Sequence, residues 1–579
     1  MTISHAKPRS RTERARADAT KSGGVHYTPP ELAAFVASNA LAVASVGSRL
    51  RVLDPACGDG ALLVATAELA PPGCDLELVG CDKDPTALDA ADTRLAGLRE
   101  SGLRWSLEAC DFLSEAAALR DASETLFGGS PQAASLAEPF DIVIANPPYV
   151  RTQTLGAEES RRLAAVFGLT GRVDLYHAFA VAMTESLREG GVLALLCSNR
   201  FMTTKGGGSL RRHLQAELDV GRVFDLGDTK LFEAAVLPAV VVASRRSPSG
   251  ESPLMASVYE CPVADGHVEA ASVLRAVAEG IEGKVKVGRT SFEIRRGRLY
   301  LDPTSSDPWV LATEDEGWVG QVEARAAMRF GDLGKIRVGI KTTADKVFIR
   351  EDWDDADGNA PELELLLPLL THHVASKWTA GEPTRRVLYP YDLGERRRVP
   401  LDLSEWPRAA NYLETHRAHL EGRRYVVEAG RHWWEIWVPQ RPAEWALPKL
   451  VFPDISEQPR FSLDCTGCVV NGDCYWLALA TADDQALGLL AMAVANSSLG
   501  TRFYDQVCGN KLYSGRRRYI TQYVERFPIP DPTCPEARKI VELVGTLVRG
   551  ECEASEIVEL EGEVDELVWR SFGFEEIPR

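Results

Sequence analysis

The first half of the chain alternates compact apolar runs with helically spaced stretches. Arg51-Val52-Leu53 and Phe140-Asp141-Ile142-Val143-Ile144-Ala145 have the length and branching of buried strands, and Ala61-Leu62-Leu63-Val64-Ala65 reads as a helix opening. This alternation predicts an α/β domain from about Thr28 to Ser244, closing on the apolar strand Leu237 to Ala243. Arg246 to Pro253, rich in Ser, Pro and Gly, reads as a linker. The predicted organisation is a basic arm at 1–24, the α/β domain at 25–245, a linker and bridging segment at 246–330, and a mixed α+β domain at 331–579. Within the last, Pro535 to about Phe572 has helical spacing. Ile540, Leu543, Val544, Leu547 and Val548 fall on one face, which predicts packing against the body.

At 579 residues, 45% apolar and 26% charged, the chain is large enough for two or more cores. Nothing reads as a signal peptide or an eighteen-residue apolar span, so a cytoplasmic protein without membrane association is expected. Twelve scattered cysteines favour reduced thiols over a disulfide framework. The net charge of −18 looks unsuited to a polyanionic partner. Phosphate affinity, however, depends on local cation clusters, and long-range charge is screened beyond about 8 Å in cellular salt.

The apolar run at 140–145 delivers Asn146-Pro147-Pro148-Tyr149 to a strand's carboxyl end, where open α/β sheets place their ligands. The Asn146 side-chain oxygen and the Pro147 backbone carbonyl can accept both hydrogens of a planar amino group. The Tyr149 ring can stack on an extruded base. By itself the stretch also suits a diproline turn with an edge aromatic. Upstream, Asp54-Pro55-Ala56-Cys57-Gly58-Asp59-Gly60 is a glycine-bearing turn that lets a ligand approach the backbone. It lacks both the dinucleotide and the phosphate-loop fingerprints. Asp82 ends a second strand, placed to accept from ribose hydroxyls. Asp111 and Phe112 follow a third, where a carboxylate can take an adenine amino group and a ring can stack on its face. Singly, such acids are ordinary strand ends or helix caps; their order before Asn146 makes coincidence a poor explanation.

In these motifs the chain resembles the gamma-class adenine-specific DNA methyltransferases of restriction-modification systems, the Taq-like methylase family. The resemblance implies an α/β Rossmann-like, S-adenosylmethionine-dependent methyltransferase domain followed by a target-recognition domain. It places Tyr27 and Thr28, in His26-Tyr27-Thr28-Pro29-Pro30-Glu31, over the methionine end of the cofactor. Asp54, Ala56 and Gly58 match the methionine loop, Asp82 the ribose acid, Asp111 and Phe112 the adenine contacts, and Asn146, Pro147 and Tyr149 the catalytic motif. Asp174 to Phe179, Gly190 to Leu196 and Ser198 to Phe201 match later structural motifs; Ile336 to Ile349, Lys449 to Pro453 and Arg526 to Pro530 match the recognition domain. The family's second ring against the flipped base is replaced by Val236-Leu237-Pro238, leaving Val236 or Phe232 for that place. The implied partners are double-stranded DNA and a separate restriction endonuclease, since only about 25 residues precede the cofactor motifs. A monomer is expected. Amino-methylation of RNA or of a protein glutamine uses the same chemistry and is the alternative. Serine at the first motif position is the usual cytosine variant.

The DNA-contact candidates are Lys511, Arg516, Arg517 and Arg518, in a stretch mixing cations with Tyr513 and Tyr519. Phosphate contact is expected for at least two of the three arginines. No metal is expected. Cys465, Cys468 and Cys474 read as buried strand cysteines more readily than as zinc ligands, and His372-His373 as surface or DNA-contact residues.

Overall fold

The computed structural model describes residues 27–45, 47–98, 102–124, 134–150, 152–171, 173–232, 237–246, 249–262, 266–299, 301, 307–312, 317–353, 360–508, 516–550 and 552–578. The basic arm, Val236 and Lys511 lie outside them. The chain divides into two compact units at Glu314/Asp315.

The first unit is built on one twelve-stranded sheet. Its strands are β1 (Arg49–Asp54), β2 (Asp75–Asp82), β3 (Leu103–Ala109), β4 (Phe140–Ala145), β5 (Leu187–Ser198), β6 (Asp219–Asp225), β7 (Pro238–Ser244), β8 (Leu254–Cys261), β9 (Val268–Glu269), β10 (Gly283–Val287), β11 (Thr290–Leu299) and β12 (Leu311–Ala312). The order is β3-β2-β1-β4-β5-β7-β6-β8-β11-β10-β9, with β12 on β11. β3, β2, β1, β4 and β5 run parallel, while β7 is antiparallel to both its neighbours. This part of the sheet has a Rossmann-like arrangement.

One helix, α1 (Pro30–Val43), precedes β1, and helices fill the connections that follow: α2 (Ala61–Leu69), α3 (Pro85–Ala96), α4 (Phe112–Glu124), α5 (Ala157–Val166), α6 (Leu175–Glu185) and α7 (Gly208–Glu217). α1 and α3 both begin on proline, whose missing amide costs nothing at a first helical position. Covered on both faces, the central strands carry near-continuous apolar runs, as in β7, all of whose residues are buried. One apolar cluster, around Phe140, Phe179 and Phe201, packs one face of the sheet; a second, around Phe35, Leu62 and Val273, packs the other. Residues 254–299, within the stretch read as linker and bridge, extend this sheet as β8 to β11.

The second unit mixes a five-stranded sheet, a four-stranded sheet, two strand pairs and helices. The helical stretch predicted near the carboxyl end forms two helices, α8 (Pro535–Arg549), which carries the whole apolar stripe, and α9 (Ala554–Ser571), separated after Gly550, whose φ of 69° is the left-handed cap glycine favours. Ile540, Leu543, Val544 and Leu547 are buried in that unit's core. Cys468 and Cys474 are buried and Cys465 is exposed; among the described residues no three His, Cys, Asp or Glu side chains gather as metal ligands. His372 pairs with Asp473 at 2.6 Å. Among the described residues no helix is long and apolar enough to cross a membrane.

Candidate active site

The carboxyl ends of β1, β2, β3 and β4 open onto a cavity of about 300 Å³. Every cofactor residue expected from the sequence lines it: Tyr27, Thr28, Asp54, Ala56, Gly58, Asp82, Asp111 and Phe112. Asn146 and Pro148 close one side, whereas Pro147 and Tyr149 are not on its wall.

The turn after β1 is laced to the end of β2. The Cys57 amide donates to the Cys81 carbonyl (2.9 Å), and the Gly58 amide to the Asp82 carboxylate (2.9 Å). Gly58 and Gly60 sit at φ of 51° and 77°, the left-handed region in which a Cβ is strained. A second backbone amide, from Asp84, holds the other Asp82 oxygen at 2.9 Å, so two donors orient this carboxylate beside the cavity. Asp111 caps α4 through the Leu113 amide (3.2 Å) and also pairs with Lys83 (2.9 Å). Phe112 stacks on Phe179, centroids 5.8 Å apart.

Asp54 is 1% exposed and accepts from the Ala56 amide at 3.1 Å. Burial pushes its carboxyl up to about 8. A cationic ligand group in the cavity would restore its charged form. With carboxylates at the end of β2 and just after β3 and an aromatic wall, this donor set fits S-adenosylmethionine, whose ammonium and sulfonium are positive.

Asn146 is held at both ends of its amide. Its Nδ2 donates to Thr28 Oγ1 at 3.0 Å, and its Oδ1 accepts from the Tyr149 hydroxyl. These partners set which end of the amide is oxygen. Beyond the cavity the Tyr149 ring meets Tyr176 and Phe232 edge-on, at 6.5 and 6.3 Å between centroids. Of the two candidates for a second ring position, Phe232 is therefore against Tyr149, and Val236 is outside the described residues. Burial raises the Tyr149 hydroxyl well above its ordinary value, keeping it a donor.

Sequence reasoning passed over Lys83, Phe179, Glu159 and Arg162, all on the cavity wall. Lys83 directly follows Asp82, and Phe179 lies in a quoted motif, so both had a signal. Glu159 and Arg162 are a bidentate pair on α5 at 2.8 and 2.7 Å, which looks like any exposed helical ion pair in sequence.

In the second unit, Arg517 grips Asp505 through two bonds (2.7 and 2.8 Å) and Arg518 grips Asp454 (3.1 and 3.2 Å). Arg516 is exposed and pairs with no carboxylate among the described residues. The structure thus engages two of the three predicted DNA-contact arginines with acids of the chain itself.

Comparison with known proteins gives consistent results. The Eco57I restriction-modification methylase family model matches residues 77–232. The Type II methyltransferase M.BanIII of Aneurinibacillus aneurinilyticus is 35% identical across 96% of this chain and 98% of its own length. M.PaeR7I of Pseudomonas aeruginosa, also a Type II methyltransferase, is 27% identical across 74% of this chain and 72% of its own. Among solved structures, the Type IIL restriction-modification enzyme MmeI in complex with DNA superposes with a TM-score of 0.59 at 13% identity, covering 92% of this chain and 71% of that one.

Proposed function

From the premise that this chain belongs to the Type II restriction-modification methyltransferases, we propose that it methylates the exocyclic amino group of adenine in a short duplex DNA sequence. The methyl donor is S-adenosylmethionine. The methylated site protects host DNA from a separate restriction endonuclease, and the chain acts as a monomer. The observation that carries the reading is the single cavity that gathers Tyr27, Thr28, Asp54, Asp82, Asp111 and Phe112 and is bounded by Asn146.

S-adenosylmethionine, when bound, supplies an electrophilic methyl group. The chain supplies position and polarity. Asp82, preset by two backbone amides, takes ribose hydroxyls, while Phe112 and Phe179 cover the adenine and Asp54 faces the positive end. Thr28 Oγ1 holds the Asn146 amide nitrogen and so orients the amide, whose Oδ1 accepts from the target amino group together with the Pro147 carbonyl. Oδ1 has two lone pairs, and the Tyr149 hydroxyl occupies one of them. Accepting both amino hydrogens draws the nitrogen out of conjugation and exposes its lone pair. Orientation against a dehydrated wall supplies much of the acceleration. The proton then leaves to water. The Tyr149 ring stacks on the extruded base once the edge contact with Phe232 opens.

The test is to incubate the purified chain with methyl-labelled S-adenosylmethionine and duplex DNA, RNA or protein, then to digest the labelled product. Label recovered as N6-methyladenine from duplex DNA is expected. Label in methylcytosine, or only in RNA or protein, overturns the reading.

A further inference from the structure

On one face of the first unit's sheet, over β6, β8 and β11, lies a second cavity of about 690 Å³, which shares no lining residue with the one at the carboxyl edge. Strand register sets Arg222, Leu254 and Arg298 side by side in one row, and Phe224, Ala256 and Arg296 in the next. Residues paired across strands, and those two apart along one strand, share a face, so all six side chains point the same way. One row further along that face, Val258 and Ile294 are buried in the second apolar cluster, whereas β11 continues with Arg296 and Arg298. α1 flanks the cavity with Phe35 and Asn39, and the short helix Val273–Ala278 flanks it with Val277. Phe35 meets Phe224 edge-on, centroids 4.9 Å apart, and with Leu254, 46% exposed, they make an apolar floor. The three guanidiniums are each held by a neutral acceptor: Arg222 donates to Asn39 Oδ1 at 3.0 Å, Arg296 to the Val277 carbonyl at 3.0 Å and Arg298 to the Ser252 carbonyl at 2.8 Å. Asn39 is itself 9% exposed and tied to the Phe35 carbonyl at 2.9 Å, so the head of Arg222 is set from a buried anchor. Among the described residues no carboxylate pairs with any of the three guanidiniums, and Glu282, the acid on the wall, accepts at 3.4 Å from the Arg296 backbone amide instead. Elsewhere in the unit Arg51 meets Glu77 at 2.8 Å and Arg246 meets Asp219 at 2.6 Å.

We propose that this cavity binds a nucleotide, with the phosphate on Arg222, Arg296 and Arg298 and the base on the floor of Phe35, Phe224 and Leu254. A guanidinium has five N–H donors in a planar fork that matches phosphate oxygens, and one bond to a neutral acceptor leaves each of the three with donors to spare. Arg222 and Arg296 are half-buried. Charge withdrawn from water without a counter-charge is costly, and a bound anion offsets that cost. That three such groups surround one cavity in a chain of net charge −18 points to an anionic occupant from outside the unit's own packing. The volume lies within the roughly 300–1,000 Å³ of small-molecule sites, and the apolar floor calls for a flat ring joined to the phosphate rather than a bare anion. A free mononucleotide and a nucleotide of an unpaired DNA strand share this chemistry. The binding draws nothing from the cavity at the carboxyl edge and does not rest on the proposed methyl transfer.

The test titrates the full chain with thymidine monophosphate in calorimetry, with and without excess S-adenosylhomocysteine. Binding to one site is expected, unaffected by S-adenosylhomocysteine, while thymidine and inorganic phosphate each bind far more weakly than the joined molecule. Arg222→Ala and Arg298→Ala should each weaken it about tenfold or more, the scale of losing a hydrogen bond to a charged group. Arg222 also supports α1 through Asn39, so Arg298→Ala, at the exposed rim, is the variant that separates lost binding from lost folding, with circular dichroism as the check. Single-stranded oligothymidylate that displaces the mononucleotide assigns the cavity to a DNA strand; failure to displace it assigns the cavity to a free nucleotide. No heat from thymidine monophosphate or adenosine monophosphate at millimolar concentration overturns the proposal. So does binding that both arginine variants leave unchanged, that thymidine alone matches, or that S-adenosylhomocysteine displaces.

Discussion

The Tyr149 hydroxyl donates a hydrogen bond to the side-chain oxygen of Asn146, the atom proposed to receive the target amino group. Two residues three positions apart are thus joined as donor and acceptor. The Thr28 hydroxyl, from a motif more than a hundred positions upstream, fixes the opposite end of the same amide.

Replacing Asn146 by alanine removes that acceptor while leaving the cavity's other walls in place. Methyl transfer should fall at least about a hundredfold, the scale of losing one preorganised polar group. S-adenosylhomocysteine affinity should stay unchanged in calorimetry. A loss of affinity as large as the loss of rate would instead make Asn146 a cofactor contact.

Tyr149 has a ring and a hydroxyl with separable roles. Tyr149→Phe keeps the ring against Tyr176 and Phe232 and frees Asn146 Oδ1 of its internal donor, so single-turnover methylation should stay within a few-fold of the parent. Tyr149→Ala removes the stacking surface and should weaken binding of the cognate duplex by about 1–3 kcal/mol. Equal impairment in both variants would place the function in the hydroxyl.

Asp54 makes stability depend on pH with a definite sign. Its ordinary value is 3.8 and its folded value about 8, so between those values the folded chain holds a proton that the unfolded chain has released. Stability from this group is fully present below about 4 and is lost as pH rises toward 8, by up to about 1.4 kcal/mol per pH unit. Buried His177 runs the other way: its value falls from 6.5 to about 4, so its contribution is lost as pH drops through that range. The two slopes oppose each other below about 6.5, and above it the Asp54 slope stands without that opposition. Asp54→Asn should therefore gain stability over the parent steadily from about pH 6.5 to 8 in chemical denaturation. Parallel pH profiles would show that Asp54 is already ionised in the folded chain.

The three arginines at 516–518 should separate in solution. Arg516→Ala should weaken cognate and random duplexes alike and flatten the slope of log affinity against log salt by about 0.9. Arg517→Ala leaves half-buried Asp505 without its two charged bonds and should lower folding stability by about 2 kcal/mol. DNA affinity unmoved in Arg516→Ala at low salt would remove this residue from the phosphate contacts.

Much of the catalytic unit was legible because its signals are local. Strand, turn and helix follow within a dozen residues at Asp54, at Asp82 and at Asn146, and each places its polar residue at a strand's end by backbone geometry alone. β8 to β11 gave no such signal. In β11, Thr290–Leu299, arginines and glutamate share the strand with apolar residues, because only one face of these outer strands is buried. The clear apolar run on which a buried strand is recognised is therefore missing.

The sequence by itself determined which chemistry the chain carries and in what order: a turn for close ligand approach, two acids, a ring, and an amide followed by two prolines and a tyrosine. Side-chain type and strand-end position are both local properties, and these features need nothing more. Only the tertiary structure decided which partners those groups take. Thr28 reaches Asn146 across 118 positions, and Arg518 reaches Asp454 across 64. A charge or a hydrogen bond acts over a few ångströms, and which groups come that close is set by how the chain packs rather than by their distance along it.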